Sequence, residues 1–161
     1  MKTKSATAAL LGPTAAVFAL STSAAFAGGS GASTFTQTDH GVTQTMADVN
    51  PCTGEPGTTT LTFNDVFHAT INKTGSWFTG TTTGQIQFVP DNPASPTYTG
   101  HIQFWFGDEN NLRNGVEHDT SNFRVTGTDG SVIAGHNNAT ATLNANGVIT
   151  VSFDHISMTC P

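Results

Sequence analysis

Charge is scarce in this chain. Of its 161 residues only 10% are Asp, Glu, Lys or Arg, and five basic residues stand against eleven acidic ones. A soluble globular domain ordinarily carries about a quarter of its residues as charges. The outer faces of a helical bundle need Lys and Glu, so that class is excluded. Nucleic acid and anionic membrane surfaces attract basic patches, so the shortage of Lys and Arg argues against both as partners. Cysteine occurs twice and tyrosine once. Beyond residue 27 no apolar run approaches the roughly 18 residues that span a bilayer as a helix. The motifs G-x-S-x-G, G-x-x-x-x-G-K, H-x-x-x-H and H-E-x-x-H are all missing. No nucleophile elbow, phosphate cradle or zinc site is therefore expected, and no cofactor.

The first 27 residues read as a secretory leader. Lys2 and Lys4 supply its positive start, an alanine-rich apolar stretch follows, and Ala25-Phe26-Ala27 has the small-x-small pattern of a cleavage site. Cleavage after Ala27 leaves three basic residues against eleven acidic ones, a net charge of −8. The expected product is secreted, extracellular and not embedded in a membrane. An exported chain with two cysteines favours one disulfide, here Cys52 to Cys160.

Threonine and phenylalanine are abundant, at 29 and 11 residues. Such β-branched and aromatic side chains suit a half-buried pleated surface. Residues 28–57 read as a flexible lead with an edge strand at 34–46 and a loop before residue 58. Residues 58–161 read as the main domain, with strands at 58–71, 76–89, 97–106, 117–126, 131–144 and 148–158. The fold class is all-β, an antiparallel up-and-down meander of six to seven long strands. A closed barrel is favoured over a sandwich, because an open sheet leaves long edges with little lysine to protect them.

Side-chain parity fixes expected registers. A short turn at 72–75 sets Ile71 opposite Ser76, and hence Phe67 opposite Gly80 and Phe63 opposite Gly84. Phe88 then meets Tyr98, and Gly80 meets Phe106. Asp129-Gly130 and Asn146-Gly147 suggest two-residue hairpin turns. Those turns put Phe123 opposite His136, Asp119 opposite Thr140 and Phe153 opposite Thr140, with His155 opposite Asn138. One row then carries Phe123, Phe153, Asp119, His136, Asn138 and His155 together.

Polar groups over an apolar lumen are typical of small-ligand sites. The expected ligand-binding set is Phe63, Phe67, Phe104, Phe123, His136, Asn138, Phe153 and His155, and the expected partner is a small apolar or amphipathic ligand. The leading function is a secreted, non-enzymatic binding protein or stable extracellular module. An alternative is a barrel enzyme of cyclase or isomerase type, with His136, His155 and Asp119 as acid–base groups. Another is a polysaccharide-binding module using Trp77 and Trp105 on the polar face, beside His68 and His101. Asp108-Glu109-Asn110-Asn111 reads as a solvated loop, without the pattern of a calcium loop.

The stretch 97–107 (TYTGHIQFWFG), followed by 126–131 (TGTDGS), resembles a group of small exported actinobacterial proteins without an assigned activity. The resemblance covers roughly residues 58–160. It implies a compartment and brings no function. Gly75-Ser76-Trp77-Phe78 is similar to the first strand of avidin-like barrels. It falls in a later strand with no biotin-contacting pattern after it, so no ligand residue is carried over.

Overall fold

A computed structural model describes residues 31–111 and 113–161. The leader read at residues 1–27 lies outside them. The strands are β1 (Ser33–Val49), β2 (Pro56–Asn72), β3 (Gly75–Pro90), β4 (Tyr98–Asn111), β5 (Asn114–Gly127), β6 (Val132–Asn144) and β7 (Ile149–Thr159). Each pairs antiparallel with the next in one seven-stranded sheet. The edge strand expected at 34–46 is present. It is the centre of β1, paired with β2 along its length apart from a shift between Asp39 and Val42. There Gly41 adopts a φ of +64°, and its N–H donates to Asn64 Oδ1 at 2.9 Å. The 108–111 segment is the end of β4 and not a loop.

The barrel closure expected from the long strands is missing, since the strand order leaves β1 and β7 as two edges. The sheet is nevertheless rolled. Neighbouring strands lie about 4.8 Å apart, so the β1–β2 loop and β7 would be about 25 Å apart in a flat sheet. Instead Cys52 in that loop is bonded to Cys160 just after β7, with a Cα–Cα distance of 5.6 Å. The disulfide gathers first and last strands at one end of the trough, here called the closed end.

Alternation then sorts side chains onto two faces. The inner face carries Phe35, Phe63, Phe67, Phe78, Phe88, Tyr98, Phe104, Phe106, Phe123, Val125 and Ile133. The outer face is dominated by Thr, Gln, Asn and His. Thr hydroxyls pair across β1 and β2 at Thr34–Thr70, Thr43–Thr62 and Thr45–Thr60, 3.2–3.3 Å apart. The core sits at the closed end, where Phe88, Tyr98, Val125 and Ile133 are buried together, with Cys52, Ile86 and Phe123 against them. Asn50 is buried above this cluster, and its side-chain oxygen accepts from the N–H of Cys52 at 2.9 Å. The Tyr98 hydroxyl accepts from Ser131 Oγ at 3.0 Å, which satisfies the one polar atom of that ring.

The registers of β2–β3 and β3–β4 are those expected: Ile71 faces Ser76, Phe63 faces Gly84 and Phe88 faces Tyr98. Gly80 has the Phe106 ring lying over it, where a Cβ would collide. The β5–β6 register differs by one residue. Gly127 N–H donates to the Ser131 carbonyl and Gly130 N–H to the Gly127 carbonyl, at 2.8 and 2.9 Å. Gly130 has a φ of +83°. This is a three-residue loop ending in a left-handed glycine. The extra residue sets Phe123 opposite Gly135 and Asn122 opposite His136. The loop before β7 is of the same kind, with Gly147 at φ +72°. A further shift between Thr142 and Leu143 compensates it, so Phe153 faces Thr140 and His155 faces Asn138 as expected.

Candidate functional site

The one-residue slip between β5 and β6 divides the expected ligand-binding set. Phe63, Phe67, Phe104 and Phe123 lie on the inner face, whereas His136, Asn138, Phe153 and His155 lie on the outer one. Asp119 faces Ala139 on the inner side, so the acid–base trio of His136, His155 and Asp119 is not assembled. A slip of one residue sends every side chain of a strand to the opposite face. His136 and His155 do share a face, on adjacent strands. No signal in the residues alone distinguishes a two-residue from a three-residue turn at Asp129-Gly130.

What the structure gathers instead is an aromatic patch in the open half of the trough. Phe67 is the hub. Its ring centroid lies 5.6 Å from Phe35, 6.0 Å from Phe78 and 6.0 Å from Phe106, and Phe104 stands 5.9 Å from Phe106. Offset and tilted arrangements at these distances are favourable for aromatic rings. None of the five is buried, and Phe35 is 40% exposed. A narrow cavity of about 160 Å³ continues toward the closed end between Pro51, Ile86, Phe88 and Tyr98.

Carboxylates flank this patch. Asp39 and Asp65 face each other on β1 and β2. Asp108 faces Glu117 across β4 and β5, and Phe106 faces Asp119. Asp154 lies in the same cross-strand row as Asp119, beyond Ala139. With Asp48 near the closed end, seven of the eleven acidic residues are on the inner face, and no Lys or Arg of β1–β7 joins them. Burial pushes Asp108, Glu117 and Asp119 above the usual carboxylate range. For Glu117 the nearby charges of Asp119 and then Asp108 push further, while His118 draws Asp119 partly back. Two inner acceptors, Asp65 Oδ1 and Asn137 Oδ1, are buried without a hydrogen-bond partner among the described residues. Orphaned buried acceptors are uncommon in folded proteins.

A pH dependence follows. These three groups hold protons more tightly in the folded chain than in the unfolded one. The folded chain therefore binds more protons between the ordinary carboxylate pKa and the raised one, and stability falls as pH rises through that window. At neutral pH the whole penalty is present. Glu117→Gln is expected to raise the thermal midpoint at pH 7, by an amount corresponding to roughly 0.2–1 kcal/mol for relieving like charges directly opposite. The two proteins should converge below pH 4. Thermal melts at pH 7 and pH 3.5 check this, and equal midpoints at pH 7 would contradict it.

The outer face is chemically distinct. One histidine on each of β2, β4, β5, β6 and β7 points there, and Glu109 is the only carboxylate on that face of the strands. Four of these imidazoles are held by a cross-strand neighbour: His68 by Thr36 (2.7 Å), His101 by Gln85 (3.1 Å), His118 by Thr140 (2.9 Å) and His136 by Asn122 (2.7 Å). A shallow depression of about 580 Å³ runs past His101, Asn122, Arg124 and His136. Trp77 and Trp105 share this face but stand four residues out of line on adjacent strands, because Trp105 pairs with Thr81. No group of three or more His, Cys, Asp or Glu converges as a metal site among the described residues. No helix among them is long and apolar enough to cross a membrane.

No family model, curated protein or solved structure matches the chain.

Proposed function

We propose that this chain is an exported, disulfide-locked β-sheet protein that binds a small amphipathic molecule on the inner face of its trough. The observation that carries this reading is the partly exposed phenylalanine patch Phe35, Phe67, Phe78, Phe104 and Phe106. A chain that needed these rings only for stability would cover them as it covers Phe88 and Tyr98. A contiguous exposed apolar patch rimmed by polar groups marks a binding surface more often than an accident of folding. Export is supported by the leader pattern at residues 1–27 and by the use of both cysteines in one bond. The acid–base alternative loses its basis, since Asp119 is on the other face of the sheet from His136 and His155.

The test is calorimetric titration with decyl maltoside, a neutral amphipath, kept below its micellar concentration. Saturable binding at one site per chain is expected. Phe106→Ala should weaken it about fivefold, the size of effect that loss of one aromatic contact supports. Absence of saturable binding, or binding unchanged in Phe106→Ala, would overturn the reading.

A polysaccharide reading has one observation behind it. Trp77 and Trp105 both lie on the outer face and Trp105 is 38% exposed. Their misalignment weakens it, since sugar rings stack on tryptophans in line.

A further inference from the structure

Among the described residues the inner face combines aromatic rings with negative charge and carries no Lys or Arg. Beside the phenylalanines, Asp108, Glu117 and Asp119 lie on two adjacent strands, and each is half-buried or faces another carboxylate. Like charges directly opposite one another across a sheet repel. Among the described residues no basic side chain lies on this face to relieve them. Next to Asp119, one row along and one strand over, Asn137 Oδ1 is a buried acceptor with no donor.

We infer that the amphipathic ligand is a cation, an apolar body on the phenylalanines ending in an ammonium or guanidinium head seated between Phe106 and the carboxylates of Glu117 and Asp119. This inference rests on the binding reading above and specifies its ligand class.

The chemistry of the seat fits such a head from two sides. The Phe104 and Phe106 rings stand on the same face as the seat, with Phe106 directly opposite Asp119, and aromatic rings attract a cation within about 6 Å. The carboxylates supply the counter-charge, in a partly desolvated trough where attraction is stronger than in open water. The acids are too dispersed to converge as a metal site, whereas an organic head bonded to an apolar tail uses both rings and carboxylates. An anionic amphipath would add a charge of the wrong sign to a face that already carries seven carboxylates. A neutral one would leave their repulsion in place.

The experiment compares decyltrimethylammonium, decyl maltoside and decyl sulfate by calorimetry at pH 7.5, below micellar concentrations, with the disulfide intact. The expected order is the cation at least tenfold tighter than the maltoside, and the sulfate weakest. Raising salt from 20 to 300 mM should erode the cation's advantage and leave the maltoside nearly unaffected. In the double variant E117Q/D119N the cation's affinity should fall to that of the maltoside, with maltoside binding retained. The single variant Glu117→Gln, which relieves repulsion and should fold at least as well, is expected to lose part of the preference. Equal affinity for cation and maltoside in the parent protein would overturn the cation inference and leave the binding reading standing. A preference that survives E117Q/D119N would overturn the assigned seat. Failure of all three probes would overturn both.

Discussion

Replacing both Cys52 and Cys160 with alanine is expected to cost about 4–5 kcal/mol of stability. The bond joins residues 108 apart in sequence. In the chain-entropy account a closed loop of about a hundred residues removes roughly that much freedom from the unfolded ensemble. Total stabilities of single domains lie at about 5–15 kcal/mol, so the loss could take most of what this chain has. The effect is structural as well as entropic. Cys52 packs against Phe88, Tyr98, Val125 and Ile133, and its bond holds the β1–β2 loop over them. Equilibrium denaturation in urea measures both parts. The midpoint should drop, and the slope should rise because the unlinked denatured chain exposes more surface. A midpoint within error of the parent protein would show that the trough keeps its shape without the bond.

The second large effect is expected at Phe88. Its replacement by alanine removes a ring that is 7% exposed from the buried cluster at the closed end. Such deletions cost about 3–5 kcal/mol, through lost transfer energy and the cavity left behind. Phe67→Ala removes an identical ring only half-buried at the open end, where neighbours and solvent can close in. It should cost about 1 kcal/mol, near the aromatic pair energy itself. The contrast is the informative result. The rings at the closed end hold the fold, and those at the open end are left available. Urea denaturation of both variants decides it, and equal losses would mean that the open-end rings are structural after all.

The strand plan was legible because three signals agreed. Threonine-rich alternation marked the strands, glycine and proline marked the turns, and the parity of Phe63, Phe67, Gly80 and Gly84 admitted one register for β2–β4. Glycine opposite phenylalanine was a strong hint, since a Cβ at Gly80 collides with the Phe106 ring. The site was less legible. Asp129-Gly130 is compatible with a two-residue and with a three-residue loop, and the choice rests on the backbone of Gly130, which no side-chain pattern records. That one residue left Asp119 and Phe123 on the inner face and moved His136, Asn138, Phe153 and His155 to the outer one. The acidic character of the inner face was hidden for a related reason. Asp108, Glu117, Asp119 and Asp154 come from three strands, and only correct registers bring them to one side. Closure could not be read at all, because it depends on whether β1 and β7 meet, and pairing of neighbours in sequence says nothing about that.

The Cys52–Cys160 bond also has a mechanical meaning. It makes a covalent ring that contains β2 through β7 and leaves only β1 outside. A pulling force on the two ends of the chain therefore bypasses six of the seven strands. Only β1 can be peeled away, releasing about 20 residues, or roughly 70 Å of slack at the extension of a stretched chain. Beyond that the load passes through the disulfide itself, and of the aromatic patch only Phe35, carried on β1, is pulled away. In such a device a tethered molecule could be tugged repeatedly from its N-terminal side, yielding one strand and recovering it, while the face formed by β2–β7 stays intact.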